Sequence, residues 1–169
     1  MKVIAFGSPL RGDDGVGLAV LDRLRAHPLP PDVELLEGGT GALALLEVLA
    51  DQEPGPGRSR CLIIDAVDMG LEPGAVRVLE LDTASTEVAA GAAPVFSLHD
   101  ADLSGALALA QALGWRVRAR LLAIQPADLT PHLGLTPAVA ASVEEAATAA
   151  LTEILEERHP ATSEAPSPA

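Results

Sequence analysis

The sequence is poor in cysteine, in aromatic residues and in positive charge. Its single cysteine, Cys61, excludes an internal disulfide and a zinc site built from paired cysteines. Aromatic residues make up 2% of the chain, too few for the stacking platforms that bind single-stranded nucleic acid. The 11 Lys and Arg residues face 24 Asp and Glu residues, and the formal net charge of −13 argues against binding to nucleic acid or to anionic membranes.

Long apolar runs are also missing. No stretch approaches the roughly 20 consecutive apolar residues that span a bilayer, and Met1-Lys2 leads into a short strand rather than a signal peptide. We therefore expect a cytoplasmic protein with no membrane segment.

Hydrophobic residues still make up 49% of the 169 residues, which predicts one well-filled domain at 1–158. Residues 159–169, rich in Pro, Ser and Ala, are predicted to be disordered. The chain has no long heptad pattern, and we expect a monomer.

Two adjacent carboxylates occupy a glycine-rich turn, Gly7–Gly17, between an apolar run at 3–6 and a segment with helical apolar spacing at 16–24. Asp13 fits the common role of a helix cap. One cap needs only one carboxylate, so that role does not explain Asp14. The turn lacks the G-x-G-x-x-G pattern, and two acids would repel a pyrophosphate.

A further carboxylate and a histidine stand out later in the chain. The run Cys61–Ile64 is apolar enough for a buried central strand, and Asp65 follows it directly. A carboxylate there is unfavourable unless it is paired or binds a cation, although a turn or cap role stays open. His99 comes after a long loop, at about 82–94, and just before a helical run at 103–113. A single histidine is more often structural than a ligand, but long loops are often functional, which favours a role for His99.

The order of predicted elements is β-α-β-α-β-β-α-β-α. Strands are predicted at 3–6, 33–37, 61–64, 75–81 and 118–124, and helices at 16–24, 42–49, 103–113 and 137–157. This alternation predicts an α/β fold, a mostly parallel five-stranded sheet with helices on both faces. The fourth strand follows the third without a helix between them, and we expect it to be an antiparallel edge strand.

Asp14, Asp65 and His99 each lie near the expected end of a core element. If their loops share one edge of the sheet, two carboxylates and an imidazole form a divalent-metal site with open coordination positions. Such a site suits zinc, nickel or manganese without sharp preference. The H-E-x-x-H, G-x-S-x-G and P-loop signatures are missing. Metal-linked hydrolysis and metal recognition are the functions left open.

Five motifs make the chain similar to the hydrogenase maturation proteases, the endopeptidases that trim the C-terminus of the large subunit of nickel–iron hydrogenases. They are Gly7–Gly17, Glu37–Thr40, Ile63–Ala66, Ser97–His99 and Pro131–Pro137. The motifs stand in the family's order and extend over nearly the whole chain, from about 3 to 155. Each is weak alone, and their order makes the resemblance specific.

The resemblance implies a three-layer sandwich, with a twisted sheet between helices, and it implies that Asp14, Asp65 and His99 are metal ligands. Nickel already inserted in the large-subunit precursor would be what the protease senses, and other divalent metals could occupy the site. Asp14 and Asp65 are then the candidate catalytic residues. Either the metal polarises the scissile carbonyl or activates a water with one carboxylate assisting, or nickel only docks the substrate and another group cleaves the bond.

Two other functions remain compatible with the sequence. One is a nickel-binding hydrogenase accessory protein without peptidase activity, and the other is a metal-independent α/β hydrolase with an unrelated substrate. The chain also departs from the family pattern at Ser8, where an Asn is usual, and this predicts a less rigid turn. His132, in the last motif, is expected to hold its loop in place.

Overall fold

Five strands and two long helices form in the described part of the chain. The computed structural model describes residues 1–40, 61–82, 112 and 118–158. The strands are β1 (Lys2–Phe6), β2 (Glu34–Gly39), β3 (Cys61–Ala66), β4 (Val76–Asp82) and β5 (Arg118–Ile124). The helices are α1 (Val16–Arg25) and α2 (Pro137–Arg158), and a short 3-10 helix at Gly12–Gly15 leads into α1.

The strands form one sheet in the order β2-β1-β3-β5-β4. Neighbouring strands are parallel except β4, which pairs antiparallel with β5 at one side of the sheet. The mostly parallel α/β fold and the antiparallel edge strand predicted from the sequence are therefore confirmed. The four parallel strands end at a common edge, called the carboxyl edge below, where ligands bind in open α/β sheets.

The two faces of the sheet alternate along each inner strand. Val3, Leu62 and Ile64 point to the face on which α1 and α2 pack, and Ile4 and Ile63 point to the opposite face. The helix predicted at 42–49 lies outside the described residues. So do the loop before Cys61, the tail at 159–169 and all of the helix predicted at 103–113 except helical residue 112. In the described part of the chain, no helix combines the length and apolarity needed to cross a membrane.

Two strands extend further at the carboxyl edge than the sequence predicts. The third strand was expected to end at Ile64, but Asp65 and Ala66 continue the ladder, opposite Ala123 and Ile124 of β5. The second strand continues to Gly39, whose carbonyl accepts a hydrogen bond of 2.9 Å from the N–H of Gly7. Partner strands that extend to the same edge supply these extra pairs, which the apolar pattern alone does not reveal.

Candidate functional site

The glycine-rich turn lies across the carboxyl ends of two neighbouring strands. A Cβ atom on Gly17, at the start of α1, would lie 2.6 Å from the Phe6 carbonyl oxygen of β1 and 2.8 Å from the Ile64 carbonyl oxygen of β3. Only glycine permits this approach, because real Cβ atoms do not come so close to backbone oxygens. The turn is therefore fixed at the carboxyl edge, beside the end of β3.

Two of the three predicted metal ligands lie at this edge. Asp14 belongs to the 3-10 helix, which contacts β3, and Asp65 is the next-to-last residue of β3. The third, His99, lies outside the described residues. Within 1–40, 61–82 and 118–158, no group of three or more His, Cys, Asp and Glu side chains is placed to hold a metal ion. The complete ligand set thus stays a prediction.

Asp14 is buried with little to compensate its charge. It is 3% exposed, and its Oδ2 accepts a 2.7 Å hydrogen bond from the N–H of Ser8. Among the described residues its carboxylate accepts no other hydrogen bond and forms no ion pair. Burial of a carboxylate is strongly unfavourable unless it is paired or coordinates a metal. Asp14 is therefore the side chain at this edge whose surroundings most favour a cation.

Ser8 connects Asp14 to the outer part of the turn. Its N–H donates to Asp14, its hydroxyl oxygen accepts a hydrogen bond of 3.3 Å from the N–H of Leu10, and its carbonyl accepts one of 3.2 Å from the N–H of Arg11. Two of these bonds use the backbone of residue 8, and one uses the serine hydroxyl. The looser turn expected from serine at the position where asparagine is usual in the family stays a prediction.

Asp13 has the opposite surroundings. It is fully buried, and its carboxylate accepts four hydrogen bonds from the loop 126–136 that follows β5. The donors are Ala127 N–H at 2.8 Å, Asp128 N–H at 3.0 Å, Thr136 N–H at 2.7 Å and the Thr136 hydroxyl at 2.9 Å. The helix-cap role considered for Asp13 is wrong, because neither the 3-10 helix nor α1 has a side-chain cap. Its carboxylate oxygens accept hydrogen bonds from a loop that is distant in the sequence instead.

The same loop is held by the neighbours of Asp13. The Gly12 N–H donates to the His132 carbonyl at 2.8 Å, and the Arg11 guanidinium donates to the Leu129 carbonyl at 3.3 and 3.4 Å. Gly12 has a positive φ of 57°, and a Cβ there would lie 2.5 Å from His132 Nε2. His132 Nε2 in turn lies 3.4 Å from Asp128 Oδ2. The His132 side chain thus lies beside Asp128 and Gly12, and the loop-holding role expected for it stays a prediction.

The electrostatics of this loop favour the charged form of Asp128. The hydroxyl and N–H of Thr130 hold the pKa of the Asp128 carboxyl below its usual range, and the nearby His132 adds a smaller effect in the same direction. The Asp128 side chain is 42% exposed. The loop thus presents a charged carboxylate to solvent beside the buried acids of the turn.

Gln125, a buried residue that the sequence pattern did not single out, follows β5 and is hydrogen-bonded to the loop after β3 at this edge. Gln125 is 5% exposed; its Oε1 accepts hydrogen bonds from Met69 N–H at 2.7 Å and Leu71 N–H at 3.1 Å, and its Nε2 donates to Asp68 Oδ1 at 3.1 Å. The hydrogen bonds from Gln125 and from the Gly70 N–H lower the pKa of the Asp68 carboxyl. Its position directly after a buried strand could have indicated Gln125 in the sequence, as the same position indicated Asp65.

The chain matches known proteins over most of its length. A family model described as hydrogenase maturation protease matches residues 18–153, which begin just after the glycine-rich turn. The hydrogenase expression/formation protein HupD of Rhodobacter capsulatus is 34% identical over 155 residues, which cover 90% of this chain and 70% of that protein. The hydrogenase 2 maturation protease of Escherichia coli K12 is 31% identical over 146 residues, or 85% of this chain and 84% of that protein.

A solved structure shares the fold described above. The hydrogenase maturating endopeptidase HybD from Escherichia coli superposes with a TM-score of 0.70 at 27% sequence identity, and the match covers 92% of this chain and 93% of that one. The sequence and structural matches point to the same family as the resemblance seen in the sequence. The chain belongs to the hydrogenase maturation protease family.

Proposed function

We propose that this hydrogenase maturation protease is an endopeptidase that removes the C-terminal extension of a nickel–iron hydrogenase large-subunit precursor after nickel has been inserted. The observation that carries the proposal is the buried Asp14, whose carboxylate has one hydrogen bond among the described residues and no ion pair there. A cation delivered with the substrate would compensate this charge, and nickel in the precursor is such a cation.

Asp14, Asp65 and His99 would bind the nickel of the precursor. Two carboxylates and one imidazole are ligands that divalent first-row metals accept, and three protein ligands leave coordination positions for the substrate. Asp14 lies in the 3-10 helix that follows β1 and contacts β3, and Asp65 lies near the end of β3, the strand beside β1. This placement supports their joint role. Other divalent ions would bind the same ligands in the absence of the precursor.

The chemistry proposed is hydrolysis of one peptide bond. A water oxygen adds to the scissile carbonyl carbon, the carbon–nitrogen bond breaks, and the amine of the released peptide takes a proton. A divalent metal polarises such a carbonyl or lowers the pKa of a bound water. On the protein side, Asp14 or Asp65 would orient the attacking water, accept its proton and pass that proton to the leaving amine, which makes both residues catalytic candidates.

Mass spectrometry of the precursor tests this proposal. Nickel-loaded and nickel-free precursor are incubated with the wild type and with Asp14→Ala, Asp65→Ala and His99→Ala variants. We expect loss of a C-terminal peptide only with nickel and only with all three side chains present. Asp68→Asn is a matched control, because Asp68 is an exposed carboxylate at the same edge, three residues after Asp65. This control should retain cleavage.

The other outcomes separate the alternatives. Nickel binding without cleavage of a cognate precursor would favour an accessory protein without peptidase activity. Nickel-independent cleavage would leave a protease but remove nickel as its trigger. Normal cleavage by Asp65→Ala would contradict the roles given to the two carboxylates.

A further inference from the structure

Two strongly exposed leucines lie next to the candidate site. The side chain of Leu10 is 65% exposed and that of Leu133 is 77% exposed. Single exposed apolar side chains are common on protein surfaces and need no explanation by themselves. These two differ because they lie in segments that hydrogen bonds connect to the turn that carries Asp14.

Leu10 is connected to Asp14 through Ser8. The N–H of Leu10 donates to the Ser8 hydroxyl at 3.3 Å, and the N–H of Ser8 donates to Asp14 Oδ2 at 2.7 Å. Two hydrogen bonds therefore separate the backbone of Leu10 from the carboxylate. Leu10 and Asp14 thus share Ser8 as a hydrogen-bond partner.

Leu133 is connected to the same turn through His132. The His132 carbonyl accepts the hydrogen bond of Gly12, and the loop that carries both residues is tied down by the four hydrogen bonds to Asp13. Residues 8–14 and 126–136 thus form one hydrogen-bonded unit, which we call the edge platform. Leu10 and Leu133 are the large hydrophobic residues that it exposes.

We infer that the edge platform is the docking surface for the precursor segment next to the cleavage site, with Leu10 and Leu133 as its apolar contacts. This inference rests on the proposed function, because a peptide bond held at Asp14 places the flanking residues of the precursor over the platform. Pre-ordered apolar side chains bind with a small loss of conformational freedom. Covering such apolar side chains at an interface removes their surface from water, which favours binding.

The charge of the platform defines the chemistry of its partner. The Asp128 carboxylate is 42% exposed, and the Arg11 guanidinium already donates to the Leu129 carbonyl. The whole chain carries 24 acidic residues against 11 Lys and Arg. The segment that fits this surface therefore has apolar side chains to cover the leucines, a basic side chain to face Asp128, and a net positive charge to complement the acidic chain as a whole.

Binding and cleavage measured in parallel test the inference. The full-length wild type, Leu10→Ser, Leu133→Ser and the double variant are titrated with nickel-loaded precursor, and KM and kcat are measured on the same samples. We expect each single variant to weaken binding and raise KM about tenfold, a loss of about 1.4 kcal/mol, with the smaller part of the loss in kcat. The double variant should lose more than either single variant.

Leu155→Ser is the matched control. Leu155 is 54% exposed and lies near the end of α2, where the Arg120–Glu153 ion pair places it by the start of β5, away from the carboxyl edge. This variant should bind and cleave like the wild type. All four variants should retain the wild-type melting temperature because the replaced side chains are exposed.

The results distinguish the docking surface from the proposed peptidase function. Wild-type cleavage with equal KM and equal affinity in the Leu10 and Leu133 variants would overturn the docking surface and leave the proposed function standing. Binding weakened by these variants without any cleavage by the wild type would support the surface and contradict the peptidase. An equal loss in Leu155→Ser would also overturn the inference, because exposure alone would then explain the effect.

Discussion

Asp13 and Asp14 are neighbours in the chain but have opposite surroundings. Asp13 accepts four hydrogen bonds from one loop, whereas Asp14 accepts one from the described residues. A carboxylate that accepts several hydrogen bonds has little capacity left for another partner. At the residue scale, the first acid is therefore structural and the second is the candidate ligand.

Asp13→Asn tests this division. The amide of asparagine can replace one carboxylate oxygen but places an N–H2 group in the position of the other, so at least one loop donor loses its acceptor. An unsatisfied buried donor reduces the free energy of unfolding by about 1–3 kcal/mol. We expect that loss in urea unfolding at pH 7.

Asp22→Asn is the control for this measurement. Asp22 is an exposed acid of α1 with one surface ion pair to Arg25. Exposed pairs contribute about 0–1 kcal/mol, so this variant should unfold close to the wild type. Equal stability of Asp13→Asn and wild type would contradict the role given to the four hydrogen bonds.

Burial also determines the reactivity of Cys61. Its side chain is 1% exposed, and burial raises the pKa of the thiol to about 12. The thiolate is the reactive form, and it is scarce at any pH well below that value. We expect no modification of the native protein by a thiol reagent such as DTNB at pH 8. One thiol per chain should react in guanidinium chloride, because Cys61 is the only cysteine. Rapid modification of the native protein would contradict the buried position.

The sequence could single out the acids but not separate their roles. The D-D pair at a strand-to-helix junction indicated a site, and the local pattern suggested a cap for Asp13. The actual partners of Asp13 lie more than a hundred residues later, at 127–136. No local pattern reveals a hydrogen bond between such distant segments. For His99, the residues allowed a metal site only if its loop shares the edge with Asp14 and Asp65, and the resemblance to a family then implied that it is a ligand.

At the scale of elements, the contact of α1 with the sheet positions the turn. The helix starts so close to β1 and β3 that a Cβ atom on Gly17 would lie 2.6 Å from the Phe6 carbonyl oxygen. The strands and the helix are rigid there, because backbone atoms form both sides of the contact. Any side chain at this position must push the start of α1 away from the carboxyl edge.

Gly17→Ala should therefore destabilise the protein. Alanine is favoured over glycine in helices by about 1 kcal/mol, but overpacking against the backbone usually reduces stability by about 1–3 kcal/mol. We expect the second effect to prevail, with a lower free energy of unfolding in urea and slower precursor cleavage because Asp14 moves with the turn.

Asp22→Ala provides the comparison within the same helix. It introduces the same side chain at an exposed position of α1, where nothing is crowded. Its free energy of unfolding should stay within about 0.5 kcal/mol of the wild type. If Gly17→Ala were as stable and as active as this variant, the close contact would not position the turn.

Elements were the most predictable level of the structure. The fifth strand and the start of α2 were predicted at their observed residues, because an apolar run and a Thr-Pro pair mark them clearly. Strand ends were less predictable, as Asp65 and Gly39 show. Those residues belong to strands because partner strands supply hydrogen bonds, and polar or glycine residues give no apolar signal for them.

At the scale of the whole molecule, negative charge dominates the surface. The formal net charge is −13 over 169 residues. The exposed ion pairs, such as Arg25–Asp22 and Arg25–Glu37, offset this only in part, since each contributes little in water. Self-repulsion of excess charge destabilises a compact state. The same excess of negative charge should attract a basic partner segment of the kind proposed for the edge platform.

Salt should therefore stabilise the protein at neutral pH. The Debye length falls from about 30 Å at 0.01 M salt to about 8 Å at 0.15 M, which screens repulsion between distant carboxylates. We expect the melting temperature at pH 7 to rise by a few degrees, roughly 2–5 °C, over this range of NaCl concentration. Ion pairs weaken as well, but there are fewer basic residues than acidic ones, so the screening of repulsion prevails.

The control is the same measurement at pH 4.5, the isoelectric point of the sequence. The net charge is near zero there, and the rise of the melting temperature with salt should vanish. The same rise at both pH values would show that salt acts through something other than charge repulsion.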